Sequence, residues 1–344
     1  MKITSRRCFV ASVLLAVGIP ACREAKQTNP AVAEKVTVKM PWTISPEFAF
    51  LYCDSKNTSQ NAAVSFEFEP SKGSHEVAQA FSLRKIDFGF LSGDSLIVAR
   101  QKGTQMKALF ALYQQSPAVV VSLKGSGIQK PKDLLGKKVG VIKASSTFPQ
   151  FLGMMKNAQC PVITEGETKN ITLDDAINGG VLQLKTHQID ALTSFANFAP
   201  VQLLAGGDEI EEPIRFMDHG IDVYGTVFAA SDEIIKSNPS LVRRVTSIML
   251  SRIREMAGDP ALAAKQFLNK NEGVKPDSAL VELSIKETIK LIQPSGNTSE
   301  LGRMTSEGWL KTLATLVATG QAKDFDVTSC YQTGFAEEQE AAAK

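Results

Sequence analysis

Short apolar runs alternate along the chain with longer amphipathic segments. The clearest example lies within residues 81–147, where the apolar run 87–91 ends in Ser92-Gly93-Asp94-Ser95, a cluster able to cap a helix. Further apolar runs follow at residues 106–112, 118–123 and 139–142. Strands that alternate with helices and end in small polar residues are typical of an α/β sheet whose ligand-binding groups lie at the strand ends.

Other segments extend the same pattern. Alternating or short apolar runs predict strands at residues 36–40, 64–69, 161–164, 189–193 and 214–218. Amphipathic spacing predicts helices at residues 47–54, 75–85, 148–158, 172–186, 240–256, 276–292 and 305–319, with another beginning at Asp259-Pro260. The chain is therefore predicted to be α/β up to about residue 231 and helical after it.

The length of 344 residues exceeds a single typical core and predicts two lobes. Residues 83–88 and 185–191 echo each other, as expected of two lobes built from one kind of strand–helix unit. We expect lobe one to comprise residues 36–125 and 226–332, and lobe two to comprise residues 126–225. Crossover hinges are expected at residues 124–127 and 220–226, and residues 333–344 are expected to form an exposed tail.

Residues 1–21 predict an export signal. Three basic residues accompany an apolar run, residues 9–19, that is too short to span a bilayer. The Arg6-Arg7 pair resembles a twin-arginine signal, and the segment ending in Cys22 resembles a bacterial lipobox in which Cys22 is lipidated. Ordinary cleavage just before an incidental Cys22 is the alternative. Residues 22–35 would form a tether, and we expect a periplasmic protein that touches the membrane only through its lipid.

Composition and charge narrow the function. Hydrophobic residues make up 43% of the chain and charged residues 22%, as in an ordinary globular protein. The formal net charge is +2, and residues 1–21 carry three basic residues and no acidic one, so the remainder is at −1. Such a chain is not expected to bind nucleic acid. Cys53, Cys160 and Cys330 have no close pair and predict buried thiols, with a single disulfide as the alternative.

Several catalytic motifs are absent or incomplete. Gly93-Asp94-Ser95-Leu96 matches a lipase and esterase signature, but that chemistry usually takes its base from Asp-x-x-His. None of His75, His187 and His219 has an Asp three residues earlier. Phosphate-loop and dinucleotide fingerprints are missing, and three scattered histidines do not suit a catalytic metal site. We therefore expect no catalytic residue, metal or cofactor.

The order of several short motifs gives a family resemblance. Asp-Phe-Gly at residues 87–89 is followed by Ser-x-Asp-Ser at 92–95, Gln-x-Ser-Pro at 114–117, Ser-Gly-Ile at 126–128, Pro-Lys-Asp-Leu at 131–134 and Gly-Lys-Lys-Val-Gly-Val at 136–141. Over about residues 36–260 this order resembles the type II periplasmic substrate-binding proteins of ABC importers. The similarity is to the branch that binds alkanesulfonates, taurine, nitrate and pyrimidine precursors of thiamine.

The resemblance carries expectations about fold and partners. It implies an α/β, two-lobed periplasmic-binding-protein type II fold with two crossover hinge segments. It also implies a small-molecule ligand in the interlobe cleft, an ABC permease in the inner membrane as partner, and a monomeric state. Such proteins bind by closing around the ligand, so the resemblance implies differential affinity between open and closed states and no catalysis.

Small polar residues at the predicted strand ends are the main candidates for ligand binding, because helix N-termini there present unpaired N–H groups. They are Ser74, Ser92, Gly93, Gln115, Ser116, Ser145, Ser146, Thr147 and Asn197. Taken singly, each serine or threonine is explained more simply as a helix cap. Their common position at strand ends in both lobes favours the cleft.

Aromatic residues add two further candidate contacts. Trp42 ends the first strand in a turn that also holds Ser45, and its indole can offer a face to a flat ligand. A core aromatic that covers the sheet is the alternative. The turn resembles that of pyrimidine-precursor binders and departs from it at Phe48. Asp222 and Tyr224 lie at the second crossover, where the resemblance implies ligand contacts; packing at the hinge is the alternative for Tyr224.

The expected ligand is therefore a planar heterocycle, such as a pyrimidine precursor of thiamine, stacked on Trp42. The alternative is an alkanesulfonate, taurine or another small oxyanion held by Ser145, Ser146, Thr147 and backbone N–H groups. A pyrimidine-synthesising enzyme of related fold is less favoured. That enzyme family depends on a cysteine-rich motif and on histidine chemistry, and the sequence has no such cluster.

Overall fold

The computed structural model describes residues 33–53, 64–163, 170–176, 180–270, 277–297 and 300–335. These residues form two five-stranded mixed sheets with helices packed around them. Apolar clusters cover the faces of each sheet, so each has its own core. We call the part of the chain built on the first sheet the first lobe, and the part built on the second sheet the second lobe.

The first sheet contains β1 (Glu34–Lys39), β2 (Val64–Glu69), β3 (Phe88–Ser92), β4 (Met106–Ala111) and β10 (Thr226–Ser231). Its strand order is β2-β1-β3-β10-β4. β1 is parallel to β2 and β3, whereas β10 is antiparallel to β3 and β4. All residues of β3 are buried, which explains why this strand is a continuous apolar run and not an alternating one.

The second sheet contains β5 (Ala118–Val121), β6 (Lys138–Val141), β7 (Thr172–Asp175), β8 (Ala191–Phe195) and β9 (Ile214–Arg215). Its strand order is β7-β6-β8-β5-β9. β6 is parallel to β7 and β8, and β5 is antiparallel to β8 and β9. The antiparallel strand holds the fourth place in both sheets. The two lobes therefore repeat one arrangement, and the two-lobed α/β prediction is confirmed.

The chain crosses between the sheets twice, at residues 112–117 and 216–225. The prediction of a first crossover at residues 124–127 is wrong, because β5 precedes these residues and already pairs in the second sheet. The lobe boundary predicted at residue 125 therefore falls within the second lobe. Gly125 and Gly127 have left-handed backbones (φ 83° and 72°), so they make a turn that follows β5.

The helices are α1 (Ser74–Ser82), α2 (Gly93–Gln101), α3 (Thr147–Asn157), α4 (Val181–Lys185), α5 (Ala199–Ala205), α6 (Asp232–Ser237), α7 (Pro239–Gly258), α8 (Pro260–Lys270), α9 (Ser278–Ile292) and α10 (Ser306–Thr319). Short 3₁₀ segments occupy Pro46–Tyr52, Pro131–Leu134, Phe216–His219 and Val327–Cys330. Side chains cap several helix starts: Asn238 accepts from the Leu241 N–H and Thr305 from the Gly308 N–H.

The core of the first lobe is aromatic. The Phe90 ring lies 4.8 Å from that of Phe228 and 6.1 Å from that of Phe110, measured between ring centroids. Helix α7 covers this cluster with its apolar face, and the four residues whose spacing predicts that face are all buried. They are Leu241, Val245, Ile248 and Ile253. Packing of this stripe against the sheet provides most of the stability of such a helix.

Three secondary-structure predictions are wrong. Residues 172–186 form β7 and the short helix α4 in place of one helix. β7 pairs with β6 as the edge strand of the second sheet, and Gly180 has a left-handed backbone (φ 75°). Residues 161–163 are not a strand; the Asn170 side chain bonds their backbone instead. The strand predicted at 214–218 ends at Arg215, where a 3₁₀ turn begins.

Other sequence expectations concern residues beyond these elements. Cys53, Cys160 and Cys330 are buried and form no disulfide with one another, which confirms the prediction of buried thiols. The export signal, Cys22 and most of the predicted tail lie outside the described residues. Within the described residues, none of the helices combines the length and the apolar character that a membrane span requires.

Candidate functional site

A cavity lies between the two sheets, at the edge where the parallel strands of both sheets end. Its first-lobe wall includes Trp42 after β1, Ser74 after β2 and Ser92 at the end of β3. Its second-lobe wall follows β6 and β8 in the same way. Ligands of open α/β sheets bind at this position, beyond the carboxyl ends of the strands. The location of the cavity is therefore the one expected of a ligand site.

The cavity is small, and aromatic side chains form part of its walls. It offers about 80 Å³ to the centres of water molecules. One water needs about 10–15 Å³ by this measure, so the space is several times larger than a single water requires. Four aromatic side chains contribute to the walls: Trp42, Phe48, Phe195 and Phe198. Among the described residues that line the cavity there is no Lys, Arg or His.

Six of the predicted ligand residues line this cavity: Trp42, Ser74, Ser92, Ser145, Ser146 and Thr147. Local hydrogen bonds hold their hydroxyl groups at the strand ends. The Ser74 hydroxyl accepts from the Ser92 N–H (3.0 Å), which ties the start of α1 to the end of β3. The Ser145 hydroxyl accepts from the Thr147 N–H (3.2 Å) at the start of α3. Ser74 and Ser145 thus hold nearby backbone groups and also lie on the cavity wall.

Four predicted residues of the first lobe and first crossover do not line the cavity. Ser45 donates instead to the Glu47 carboxyl, and Gly93 packs against Tyr224, where a β-carbon would lie 2.7 Å from the tyrosine Cβ. Gln115 is exposed. Ser116 is buried and donates to Gln150 Oε1 (2.6 Å), so its hydroxyl has a protein partner.

Three more predicted residues also lie elsewhere. The Asn197 amide is buried and donates to the Tyr113 hydroxyl (3.2 Å) and to Thr288 Oγ1 (2.8 Å). Asp222 is exposed, and its backbone carbonyl accepts from Thr315. Tyr224 is buried with its ring 5.1 Å from that of Trp309, and its hydroxyl accepts from the Thr305 N–H (2.8 Å). Tyr224 therefore packs within the second crossover.

Sequence reasoning missed several residues of the cavity wall. Thr193, Ser194 and Phe195 end β8, and Phe198 follows in the turn before α5. The rule that singled out Ser92 and Ser145 also applies to Ser194, which could have been found in this way. Phe195 and Phe198 could not have been found by this rule, because the sequence does not reveal which ring of such a turn faces the other lobe.

Glu47 is the acidic residue of the cavity wall. It is half-buried, and each of its carboxylate oxygens accepts one hydrogen bond, Oε1 from Ser45 (3.2 Å) and Oε2 from Tyr113 (3.1 Å). Burial raises the pKa of Glu47, and hydrogen bonds from Tyr113, Ser45 and Asn197 offset part of that effect. Burial, followed by the nearby Glu47 charge, raises the pKa of Tyr113 well above its usual value. Tyr113 is therefore a neutral donor to the carboxylate.

The buried carboxyl group of Asp94 joins the two lobes through Gln150. Gln150 of α3 donates from Nε2 to Asp94 Oδ2 of α2 (2.7 Å), while its Oε1 accepts from Ser116 in the first crossover. Burial raises the pKa of Asp94, and hydrogen bonds from Ser92, Gln150 and Ser95 act in the opposite direction. One glutamine side chain thus connects both lobes and a crossover.

The two crossovers lie side by side. The Gly225 N–H donates to the Tyr113 carbonyl (3.1 Å), and a β-carbon at Gly225 would lie 2.7 Å from the Gln115 carbonyl oxygen. Only a residue without a side chain allows this approach. Paired crossovers of this kind suit hinge motion, because a few segment residues can absorb the change in backbone angles.

Comparison with known proteins places the chain in a family. Residues 49–263 match the family described as NMT1/THI5 like, which is more than half of the chain. The chain belongs to the NMT1/THI5-like family. This assignment agrees with the resemblance to the branch of sulfonate and thiamine-precursor binders.

Two relatives of the chain carry names for different activities. The chain is 21% identical over 302 residues to the riboflavin-binding protein RibY of Chloroflexus aurantiacus, covering 82% of each protein. It is 32% identical over 74 residues to the 4-amino-5-hydroxymethyl-2-methylpyrimidine phosphate synthase of Legionella pneumophila, covering 22% of this chain and 23% of the synthase.

A solved structure shows the fold that the chain shares. The alkanesulfonate-binding protein SsuA of Xanthomonas axonopodis pv. citri, bound to MOPS, superposes with a TM-score of 0.66 at 13% identity. The match covers 88% of this chain and 100% of SsuA. This chain therefore has the fold of the periplasmic substrate-binding proteins of ABC importers.

Proposed function

We propose that this NMT1/THI5-like chain is the solute-binding component of an ABC importer, which captures a small planar heterocycle between its lobes and delivers it to a permease. The cavity between the lobes carries this proposal: four aromatic side chains and a carboxylate surround a ring-sized space. Aromatic walls hold flat ligands by stacking, and a few polar groups fix their orientation. The family and the fold support the same assignment.

The ligand class follows from the charge of the walls. A sulfonate or another small oxyanion would meet the Glu47 carboxylate and, among the described lining residues, no cationic side chain. Like charges at close range are unfavourable in a partly desolvated site. A pyrimidine precursor of thiamine or the ring of a flavin brings N–H groups and a flat face instead. Riboflavin is the ligand named for RibY, and a pyrimidine is named for the Legionella synthase.

The oxyanion alternative is supported by one specific feature. Ser145, Ser146 and Thr147 lie on the cavity wall where α3 begins, and a helix start is a site for anions. Taurine or an alkanesulfonate bound there would contact these hydroxyls, and Trp42 would contribute little to its affinity. The two candidates therefore make opposite predictions for a Trp42 variant.

A ligand panel tests the proposal. We expect riboflavin or 4-amino-5-hydroxymethyl-2-methylpyrimidine to raise the unfolding temperature, because a ligand at 100 times its Kd adds about 2.7 kcal/mol of stability. Taurine, an alkanesulfonate and nitrate are expected to leave it unchanged. By calorimetry, Trp42→Ala should lose roughly tenfold or more of the heterocycle affinity, and Trp42→Phe should recover part of it. Saturable binding of the oxyanions alone would contradict the proposal.

Location and catalysis complete the proposal. The fold supports a periplasmic location; lipidation of Cys22 and a monomeric state remain predictions. The mode of action is capture and release, with the two crossovers acting as the hinge.

The described residues contain no group of three or more His, Cys, Asp and Glu side chains suited to a metal ion. A pyrimidine-synthesising activity would be recognised by turnover of a pyrimidine product, whereas a binding protein returns its ligand unchanged.

A further inference from the structure

Glu47 is a carboxylate whose described partners are all neutral. Ser45 and Tyr113 donate to its two oxygens, and no described ion pair includes it. An ionised carboxyl group has about four acceptor positions, so the contacts from Ser45, Tyr113 and the Asn197 amide still leave one position for a ligand. Glu47 also lines the cavity. A carboxyl group with an open acceptor position therefore faces the space proposed for the ligand.

The carboxylate is held in place from several parts of the chain. Tyr113, in the first crossover, accepts from Asn197 of the second lobe, and Asn197 also donates to Thr288 of α9 (2.8 Å). Thr288 in turn donates to the Ser284 carbonyl. The Tyr113 ring packs edge-on against Phe195 of the cavity wall, with centroids 6.4 Å apart. This network fixes the direction of the Glu47 oxygens before any ligand arrives.

We infer that Glu47 selects the ligand by accepting a hydrogen bond from a ring-borne N–H group, either an exocyclic amine or a ring imide. The inference rests on the proposed function, because it takes the heterocycle to occupy this cavity. A hydrogen bond to an ionised acceptor is stronger than one between neutral groups, and a ligand without the N–H would leave the carboxylate unsatisfied. Glu47 thereby discriminates between rings of equal shape, which stacking on Trp42 cannot do.

Matched pairs of ligands test the inference. One pair is 4-amino-2-methylpyrimidine and 2,4-dimethylpyrimidine, in which a methyl group replaces the amine. The other is lumiflavin and 3-methyllumiflavin, in which a methyl group replaces the imide hydrogen. Binding to the full chain is measured by calorimetry for wild type, Glu47→Gln and Glu211→Gln. Glu211 is a matched control, because it is a buried glutamate that bonds Lys124 and Gly125, and it does not line the cavity.

We expect wild type to prefer the N–H member of at least one pair by roughly tenfold or more, the size of a charge-assisted hydrogen bond. Glu47→Gln should reduce that preference to about threefold or less and leave the affinity for the methyl member nearly unchanged. Glu211→Gln should keep the full preference. Glu47→Asp retains the charge on a shorter side chain and should keep part of the preference.

The outcomes separate the two claims. If wild type binds the two members equally in both pairs, or if Glu47→Gln keeps the preference, this inference is wrong while the proposed function stands. Glu47 would then only connect the turn after β1 to the first crossover. If wild type binds no heterocycle of either pair and no riboflavin, the proposed function fails first. The wild-type comparison alone decides the inference if Glu47→Gln does not fold.

Discussion

Gly73 of the first lobe faces the backbone of Ala144 in the second lobe so closely that a β-carbon at Gly73 would lie 2.2 Å from the Ala144 carbonyl oxygen. The backbone of Gly73 (φ 151°) also lies in a region that residues with side chains rarely adopt. Both residues adjoin the cavity wall, next to Ser74 and Ser145. The lobes therefore meet beside the proposed ligand, with no room for a side chain between them.

Replacing Gly73 with alanine should separate the lobes. We expect Gly73→Ala to lower ligand affinity by roughly tenfold or more and to cost about 1–3 kcal/mol of backbone strain. Calorimetry and urea unfolding measure the two effects. Gly103→Ala is the matched control, because Gly103 has a left-handed backbone (φ 91°) and open space around it. Equal affinity for Gly73→Ala and wild type would show that closure does not need this contact.

The buried carboxyl of Asp94 should make stability depend on pH. Burial raises its pKa, so the folded state holds the proton more tightly than the unfolded chain, whose pKa is about 3.9. Its contribution to stability is therefore full below that value and is lost as the pH rises through the folded pKa. The contribution of Glu47 to stability should change with pH in the same direction, because burial raises its pKa as well.

The free energy of unfolding of Asp94→Asn should therefore fall furthest below that of wild type near pH 4. The difference should be smallest near pH 7, because the amide does not titrate. Urea unfolding of both proteins at several pH values measures this change. Asp324→Asn, at an exposed position, serves as the control and should shift stability little at any pH. A constant difference between Asp94→Asn and wild type across the range would contradict the prediction.

Gln150 should be energetically coupled to Asp94. Gln150→Met removes both side-chain bonds, to Asp94 and to Ser116, and leaves the carboxyl with fewer donors. We expect a loss of about 1–3 kcal/mol in the free energy of unfolding. In a double-mutant cycle with Asp94→Leu, the combined loss should fall short of the sum of the single losses, because the second change then removes an already broken contact. Additive losses would show that the 2.7 Å contact contributes nothing measurable.

Tyr224 should affect stability without affecting ligand binding. Its hydroxyl accepts from the Thr305 N–H, so Tyr224→Phe leaves that donor without this acceptor and should cost about 0.5–1.5 kcal/mol. Tyr331→Phe is the control, because Tyr331 also packs against Trp309, with ring centroids 5.6 Å apart. Ligand affinity should stay within about twofold of wild type in both variants, which corresponds to less than about 0.5 kcal/mol. A large loss of ligand affinity in Tyr224→Phe would show that the Tyr224 hydroxyl contributes to ligand binding.

The fold was predictable where hydrophobic pattern and burial agree. Residues 88–91 are apolar because β3 is buried on both faces, and the single apolar face of residues 240–256 marks α7. β7 escaped prediction because it is a polar edge strand, Thr172-Leu173-Asp174-Asp175, with no apolar run of its own. The first crossover was misplaced because glycines 125 and 127 suggest a hinge as readily as the turn that they form.

The site was predictable only in part, because partners distant in sequence decide which polar groups face the ligand. Ser92 and Ser146 follow from their strand ends and lie on the cavity wall. Ser116 and Asn197 satisfy the same rule but bond Gln150 and Thr288, which are 34 and 91 residues away. Glu47 was overlooked because an acid in the first turn of a helix is ordinarily explained by the helix dipole.

The place of β10 in the first sheet has a consequence for biosynthesis. β10 lies between β3 and β4, yet it is the last strand of the described chain to be synthesised. A nascent chain can finish the second sheet once residue 215 has emerged, but the first sheet keeps a gap until residue 231 follows. Unpaired strand edges recruit other chains. A polypeptide that ends between residues 215 and 231 would have a complete second sheet. Its first sheet would expose unpaired strand edges that promote aggregation.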